Sequence, residues 1–462
     1  MAVKLPVRIA NCSGFYGDRL SAAREMVEGG PIDVLTGDYL AELTMLILWK
    51  SRLKDPTAGY ARTFLTQMEQ VLGTCLERGI KVVSNAGGLN PSGLAAEIAA
   101  LSERLGLSAK VSWVDGDDIS DRIADLIAEG HPLANLDTGQ SLADAGVKPI
   151  TANAYLGGFG IAEALSAGAD IVVCGRVTDA SLVVGPAAWW HAWKPEDFDR
   201  LAGAVVAGHV IECGPQATGG NYSWLQEVTD RRYPGFPIAE VEQDGSSVIT
   251  KHADTGGLVS VGTVTAQLLY EIAQPAYANP DAVAHFDTIQ LTQEGPDRVR
   301  ISGVKGTPPP SDLKVALNYM GGYRNSMTLV LTGLDIGAKA AWATQELFSI
   351  LGGQGAFRRG GCAPGALRPR SLSRQRARHR ASEDNRQGPR PQEGRAGLLQ
   401  RDHGTGPGGI CGLPHHHPTQ RRERLRGLLA DAGAVFGDSA PCRSSRWQRA
   451  GGTPSRPRGG AR

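Results

Sequence analysis

Asp38 and Glu42 stand four positions apart, the spacing at which a helix stacks one carboxylate above another. Such a pair divides into acid and base when burial lifts one of the two pKa values. The same spacing also serves a plainer purpose, because Asp is a preferred N-cap residue. His209, Glu212 and Cys213 follow with spacings of three and four, so a helix places them on one face, where they could transfer protons or hold a metal. The alternative is a capped helix end with a buried thiol. No two-His zinc motif accompanies them, and the metal stays undefined. Arg176 with Asp179 offers a guanidinium suited to a carboxylate or phosphate beside a carboxylate, or else a local salt bridge. Cys174 and Cys213 have no base nearby in sequence to make them nucleophiles.

A second group of residues could bind rather than react. Gly157, Gly158 and Gly160 lie between a strand-like run and a helix start, where free amides favour anions. Only Gly158-Phe159-Gly160 fits the dinucleotide spacing, and Glu163 stands where a small residue is wanted, so a simple tight turn explains the glycines better than an anion cradle does. Asn85, Gly87 and Gly88 carry the same two readings. Asn153 and the run Gly219, Gly220 and Asn221 complete the candidate binding set. No cofactor is required by any of these motifs. The aromatic run Trp189-Trp190-His191-Ala192-Trp193 reads as core or interface.

These residues need elements to position them. Short β-rich runs at 7–12, 32–36, 80–84, 110–114, 150–155 and 170–174 alternate with helical spacing at about 18–28, 63–78, 94–105, 119–129 and 161–166. Six such βα units predict an α/β domain over residues 1–214. The expected form is a parallel sheet covered by helices, doubly wound rather than a βα barrel. Both architectures place ligands at the carboxyl ends of the strands, where Asp38, Asn85, Gly157 and Arg176 stand. From about 215 the pattern becomes alternating, with a hairpin at 238–241 and 247–251, further strands at 286–291, 298–302, 313–319 and 328–332, and a helix at 338–351. An α+β portion over 215–357, packed on the first domain, is expected.

The near-zero net charge is an average of two unlike pieces. Residues 358–462 hold 22 Arg, no Lys and 7 acids, and Arg, Pro and Gly make up 50 of those residues. This composition buries too little apolar surface to offset chain entropy, so a disordered tail is expected. A basic run of this size ordinarily suggests nucleic acid. Arg, Pro and Gly are also what GC-rich codons yield out of frame, and a one-nucleotide shift over 398–431 can restore helical apolar spacing. The tail therefore reads as a frameshifted remnant, the triple His at 415–417 as no metal site, and nucleic acid is not an expected partner. No apolar run is long enough for a bilayer, the opening residues lack a secretory h-region, and the 7 Cys show no paired spacing. A cytoplasmic protein with a small-molecule ligand, possibly homo-oligomeric, is expected.

The strings SGFYGDR at 13–19, LTGDYLAELTM at 35–45, SNAGGLNP at 84–91, ITANAYLGGFGIAEALSAGADIVVCGRVTDAS at 150–181 and GHVIECGPQATGGNYS at 208–223 together resemble the acyclic terpene utilisation protein A family. PIAEVEQDGSSVITKHADTGGLVSVGTVTAQLLYEI at 237–272 continues the likeness, which spans about residues 5–355. The resemblance implies an α/β protein of acyclic terpenoid catabolism, of the citronellol and geraniol type, whose neighbouring steps pass through branched acyl-CoA thioesters. It also implies a ferredoxin-like C-terminal domain, which the tail would replace. It supplies no catalytic residues. Two roles follow for the strand-end residues: an enzyme acting on branched acyl or acyl-CoA compounds, or a non-catalytic ligand-binding partner of an acyl-CoA carboxylase system. An inactive frameshifted product is the third possibility.

Overall fold

The computed structural model describes residues 4–321 and 326–350, together with the strands Val435–Gly437 and Ser444–Gln448. The chain divides into two compact units, one formed by residues 1–322 with 442–462 and the other by 323–441. Among the described residues, no helix is long and apolar enough to cross a membrane.

In chain order the first unit begins β1 (Val7–Asn11), α1 (Ala22–Glu28), β2 (Val34–Gly37), α2 (Glu42–Lys54), α3 (Arg62–Arg78), β3 (Lys81–Ser84), α4 (Pro91–Arg104) and β4 (Val111–Val114). Then come α5 (Ile123–Ala128), β5 (Ala134–Asn135), α6 (Leu142–Ala145), β6 (Pro149–Ala154), α7 (Phe159–Ser166), β7 (Ile171–Cys174), α8 (Ser181–His191) and α9 (Phe198–Ile211). Later elements are β8 (Pro237–Val241), β9 (Ser247–Lys251), α10 (Val261–Leu268), β10 (Ala276–Ala278), β11 (Val283–His285), β12 (Gln290–Gly295), β13 (Arg298–Ser302), β14 (Lys305–Thr307) and β15 (Val315–Tyr319). The second unit holds β16 (Ser326–Thr328), α11 (Ile336–Ile350) and β17 (Val435–Gly437), with β16 and β17 antiparallel. β18 (Ser444–Gln448) returns to the first unit.

An open sheet of nine strands dominates, in the order β12-β13-β9-β8-β1-β2-β3-β7-β4. The run from β1 to β4 is parallel, and β8, β9, β13 and β12 continue it antiparallel. The protein is thus α/β with an open sheet and two edges, not a barrel. The expected boundary at 214 falls inside this sheet, because β8 pairs directly with β1. The run at 150–155 also takes another place: β6 joins a small sheet, β5-β18-β15-β6, instead of the main one. β propensity at 150–155 is satisfied equally by either sheet, and the choice is made by β15, far along the chain. Of the basic tail, only two strands belong to the described residues; the disorder and frameshift expected of the remainder lie outside them.

Strand periodicity explains why helices cover both faces. Val7, Ile9, Val34, Val83 and Val172 point into one core, while Ala10, Leu35, Val82, Ile171 and Val173 point into the other. The second core is closed by α1, α3 and α4. In α3 the buried residues Phe64, Met68, Val71, Leu72 and Cys75 recur at helical spacing, and Gly79 ends the helix at φ +69°. The first core is closed by α7, α8 and α9. Every residue of α9 from Leu201 to Ile211 is buried, because β11 and β14 cover the side that does not face the sheet. Gly306 permits this: a Cβ there would lie 1.9 Å from the Phe198 carbonyl oxygen. The Trp-rich run at the end of α8 fastens the helix to the β8–β9 hairpin. Trp193 Nε1 donates to the Gln243 carbonyl at 3.0 Å, and His191 Nε2 lies 3.0 Å from that of Val241.

Candidate functional site

Four chain segments deliver ionisable groups to the carboxyl end of the parallel strands. Asp38 follows β2 and is buried; its Oδ1 accepts from Asn85 Nδ2 at 2.6 Å and from the Leu40 amide at 3.1 Å. Asn85 follows β3 and is itself oriented, since its Oδ1 accepts from the Tyr39 amide at 2.8 Å. Burial, then the charge of Asp179, raises the Asp38 carboxyl well above the ordinary carboxylate range, against the pull of Arg176 and Asn85.

Arg176, two residues past β7, is only 3% exposed. Its Nη1 donates to Asp179 Oδ1 at 2.6 Å and to the Leu40 carbonyl at 3.0 Å. The Arg176 amide donates to Asp117 Oδ2 at 2.8 Å, which also accepts from Asn153 Nδ2 at 2.8 Å, so a buried carboxylate fixes the backbone beneath the guanidinium. The guanidinium carbon lies 4.1 Å from the centroid of the Tyr155 ring. Tyr155 in turn donates its hydroxyl to Glu42 Oε1 at 2.7 Å, and Lys314 Nζ lies 3.6 Å from the same oxygen. Burial would raise the Glu42 carboxyl, but Lys314, Arg176 and the Tyr155 hydroxyl outweigh it and bring it to about 2. These partners favour the charged form of Glu42 and set it among two cations and a phenol hydroxyl.

The end of α9 brings His209 and Glu212. Asn11, the last residue of β1, donates from Nδ2 to the Ile211 carbonyl at 2.5 Å and to the Glu212 carbonyl at 2.8 Å. Gly14 completes this junction: a Cβ there would lie 2.6 Å from the Cys213 carbonyl carbon. His209 Nε2 lies 3.1 Å from the Gln267 carbonyl and must donate to it, since a carbonyl only accepts. Nδ1 then faces Glu212 Oε1 at 3.4 Å. Tyr277 and Phe286 pack on the imidazole at 5.6 and 5.5 Å between ring centroids. Burial pushes the Glu212 carboxyl up to about 7, with His209 opposing and Asp179 adding to the rise. Burial lowers the His209 pKa, yet Glu212 more than offsets it and the net shift is upward.

The candidates thus divide. Asp38, Arg176, Asp179, His209 and Glu212 form one electrostatic cluster, for Asp179 acts on both Asp38 and Glu212. Asp179 is 30% exposed on its side chain, so the cluster reaches solvent there while its other members are buried. Cys174 and Cys213 are pushed up by burial, and Cys213 further by Glu212 and Asp38, which keeps both thiols protonated and unreactive. The glycine loop holds no open anion cradle. Gly158 N donates to both carboxylate oxygens of Asp281 at 2.9 Å, and a Cβ at Gly157 would lie 2.4 Å from Asp281 Oδ1. The loop's anion is the protein's own. Gly160 packs on Val114, Gly87 on the Cys174 carbonyl, Gly88 on Leu48, and Gly219 and Gly220 on Val228 and Pro215. The Asn221 amide closes a turn onto the Gln216 carbonyl at 3.3 Å. Among the described residues, no group of three or more His, Cys, Asp and Glu is arranged to hold a metal ion.

Sequence reasoning passed over Asn11, Asp117, Tyr155, Lys314 and Asp281. A polar residue ending an apolar strand was a usable sign for Asn11. Nothing local marks Lys314 or Asp281, which arrive from more than 100 positions away. No curated protein and no solved structure matches this chain. A family profile described as Acyclic terpene utilisation family protein AtuA matches residues 7–362, over three quarters of the chain, and the chain belongs to that family.

Proposed function

We propose that the chain is an enzyme acting on branched acyl compounds, as free carboxylates or CoA thioesters, at the cluster of Asp38, Arg176, Asp179, His209 and Glu212. The observation that supports it is the convergence at the carboxyl ends of the parallel strands of a buried guanidinium and a buried His209–Glu212 pair 3.4 Å apart. Family membership supports an acyclic terpenoid origin for the acyl chain. In this reading Arg176 holds the carboxylate or thioester oxygen, a role for which its fixed planar fork suits it. Glu212, with His209 behind it, accepts a proton from the carbon next to the carbonyl and returns one, a function for which a pKa near the working pH is best. Asp38, held by Asn85, sets the local charge.

The test is deuterium uptake from D2O into citronellyl-CoA and citronellate, followed by mass spectrometry. Wild-type protein is expected to exchange the proton beside the carbonyl, and Glu212→Gln to lose at least about 100-fold. Binding without exchange in the wild type would remove the enzymatic reading and leave a ligand-binding protein. Neither binding nor exchange would remove both.

A further inference from the structure

The surroundings of Tyr155 suggest a role beyond packing. Its ring is 4% exposed and carries the Arg176 guanidinium at 4.1 Å and the Lys314 ammonium at 4.3 Å. Its backbone amide donates to the Lys314 carbonyl at 2.9 Å, and its hydroxyl donates to Glu42, the first residue of α2. One side chain thereby ties the small sheet (β6 and β15) and α2 to the guanidinium of the main sheet.

We infer that Tyr155 is a positioning residue for Arg176, holding in place the plane in which the guanidinium meets an anionic ligand. Three constraints meet on that group: the Asp117 carboxylate under its backbone, Asp179 and the Leu40 carbonyl at Nη1, and the Tyr155 ring against its face. The first two fix where the group is. The two N–H groups of Nη1 lie in the guanidinium plane, so their acceptors orient that plane, and the Tyr155 ring packed at 4.1 Å holds it there. The hydroxyl bond to Glu42 then fixes the ring. The ring is expected to be the larger contribution, because it touches the guanidinium directly while the hydroxyl acts on it only through the ring. The role of Arg176 as ligand anchor rests on the function proposed above, but its immobilisation does not.

Two measurements separate these layers. The first needs no ligand: arginine side-chain NMR on protein with 15N-labelled arginine, the Arg176 signals being identified by their loss in Arg176→Lys. Sharp, slowly exchanging Nη–H signals are expected in wild type and Tyr155→Phe, and broadened ones in Tyr155→Leu. The second is calorimetric titration with citronellate. Tyr155→Leu is expected to weaken binding about tenfold, and Tyr155→Phe and Tyr155→Trp about twofold or less, with circular dichroism unchanged. An Arg176 signal in Tyr155→Leu as sharp as in wild type would overturn the inference, as would a Phe variant as impaired as the Leu variant. If Tyr155→Leu does not fold, Tyr155→Phe and Tyr155→Trp carry the decision, because the inference requires both to keep the sharp signal. Sharp signals with no citronellate binding by the wild type would leave Tyr155's role intact and count against the proposed function alone.

Discussion

The two halves of the nine-stranded sheet use charge in opposite ways. On the antiparallel half, Arg298 of β13 pairs with Glu240 of β8 at 2.6 Å, and Arg300 pairs with Glu242 at 2.9 Å and with Glu294 of β12. These are partly exposed, cross-strand pairs. On the parallel half, Asp38, Arg176, His209 and Glu212 are buried beyond the strand ends, and the titration of Asp38 and Glu212 is displaced upward. The antiparallel half has strands closed by turns, and its Arg–Glu pairs sit where water reaches them, whereas Lys251 of β9 is buried against Asp297. The parallel half has loops leading into covering helices, which trap side chains between sheet and helix.

The contrast is sharpest for Arg176. Arg176→Met leaves Asp38 and Asp179 without their buried cation and is expected to cost roughly 3–5 kcal/mol in denaturant unfolding. Asn85→Ala comes next, because Asp38 loses a donor and Tyr39 loses an acceptor; a loss of roughly 1–3 kcal/mol is expected, with the Asp38 carboxyl moving further up. Glu240→Gln, on the antiparallel half, should cost less than about 1 kcal/mol and progressively less as salt is added. Equal losses for Arg176→Met and Glu240→Gln would erase the distinction between the halves.

A pH series gives a smaller, signed effect. The folded pKa of Glu212 lies above its unfolded value, so the folded state binds the extra proton. Its contribution to stability is complete below about pH 4.5, the ordinary value, and is lost as pH rises toward about 7. Wild type should therefore lose stability relative to Glu212→Gln across that window, by up to about 1.4 kcal/mol per pH unit. A wild type that gains stability relative to Glu212→Gln as pH rises would reverse the sign and place Glu212 outside a burial-dominated environment.

Much of this arrangement was legible in the sequence because it is local. Apolar runs ending in Asp38, Asn85 and Arg176 announced parallel strands with polar groups at their carboxyl ends, and the spacing of His209 and Glu212 announced a shared helix face. What was not legible depended on distant partners. The run containing Asn153 looked like another main-sheet strand until β15 claimed it. The glycines at 157 and 158 looked like an anion cradle until Asp281 filled it. Glu42 looked like half of a proton-transfer pair until Lys314 and Tyr155 fixed its charge. In each case local pattern gave the residue a capacity, and a contact more than 100 positions away decided whether it is used.

The most direct measurement is photolabelling with a branched acyl-CoA that carries a diazirine on its acyl chain, followed by peptide mapping. Labels are expected on segments 11–18, 36–45, 174–182 and 209–217, the loops at the carboxyl ends of the parallel strands and the end of α9, and competition by citronellyl-CoA should remove them. Labelling confined to 237–302, the antiparallel half, would contradict a functional site at the parallel strand ends.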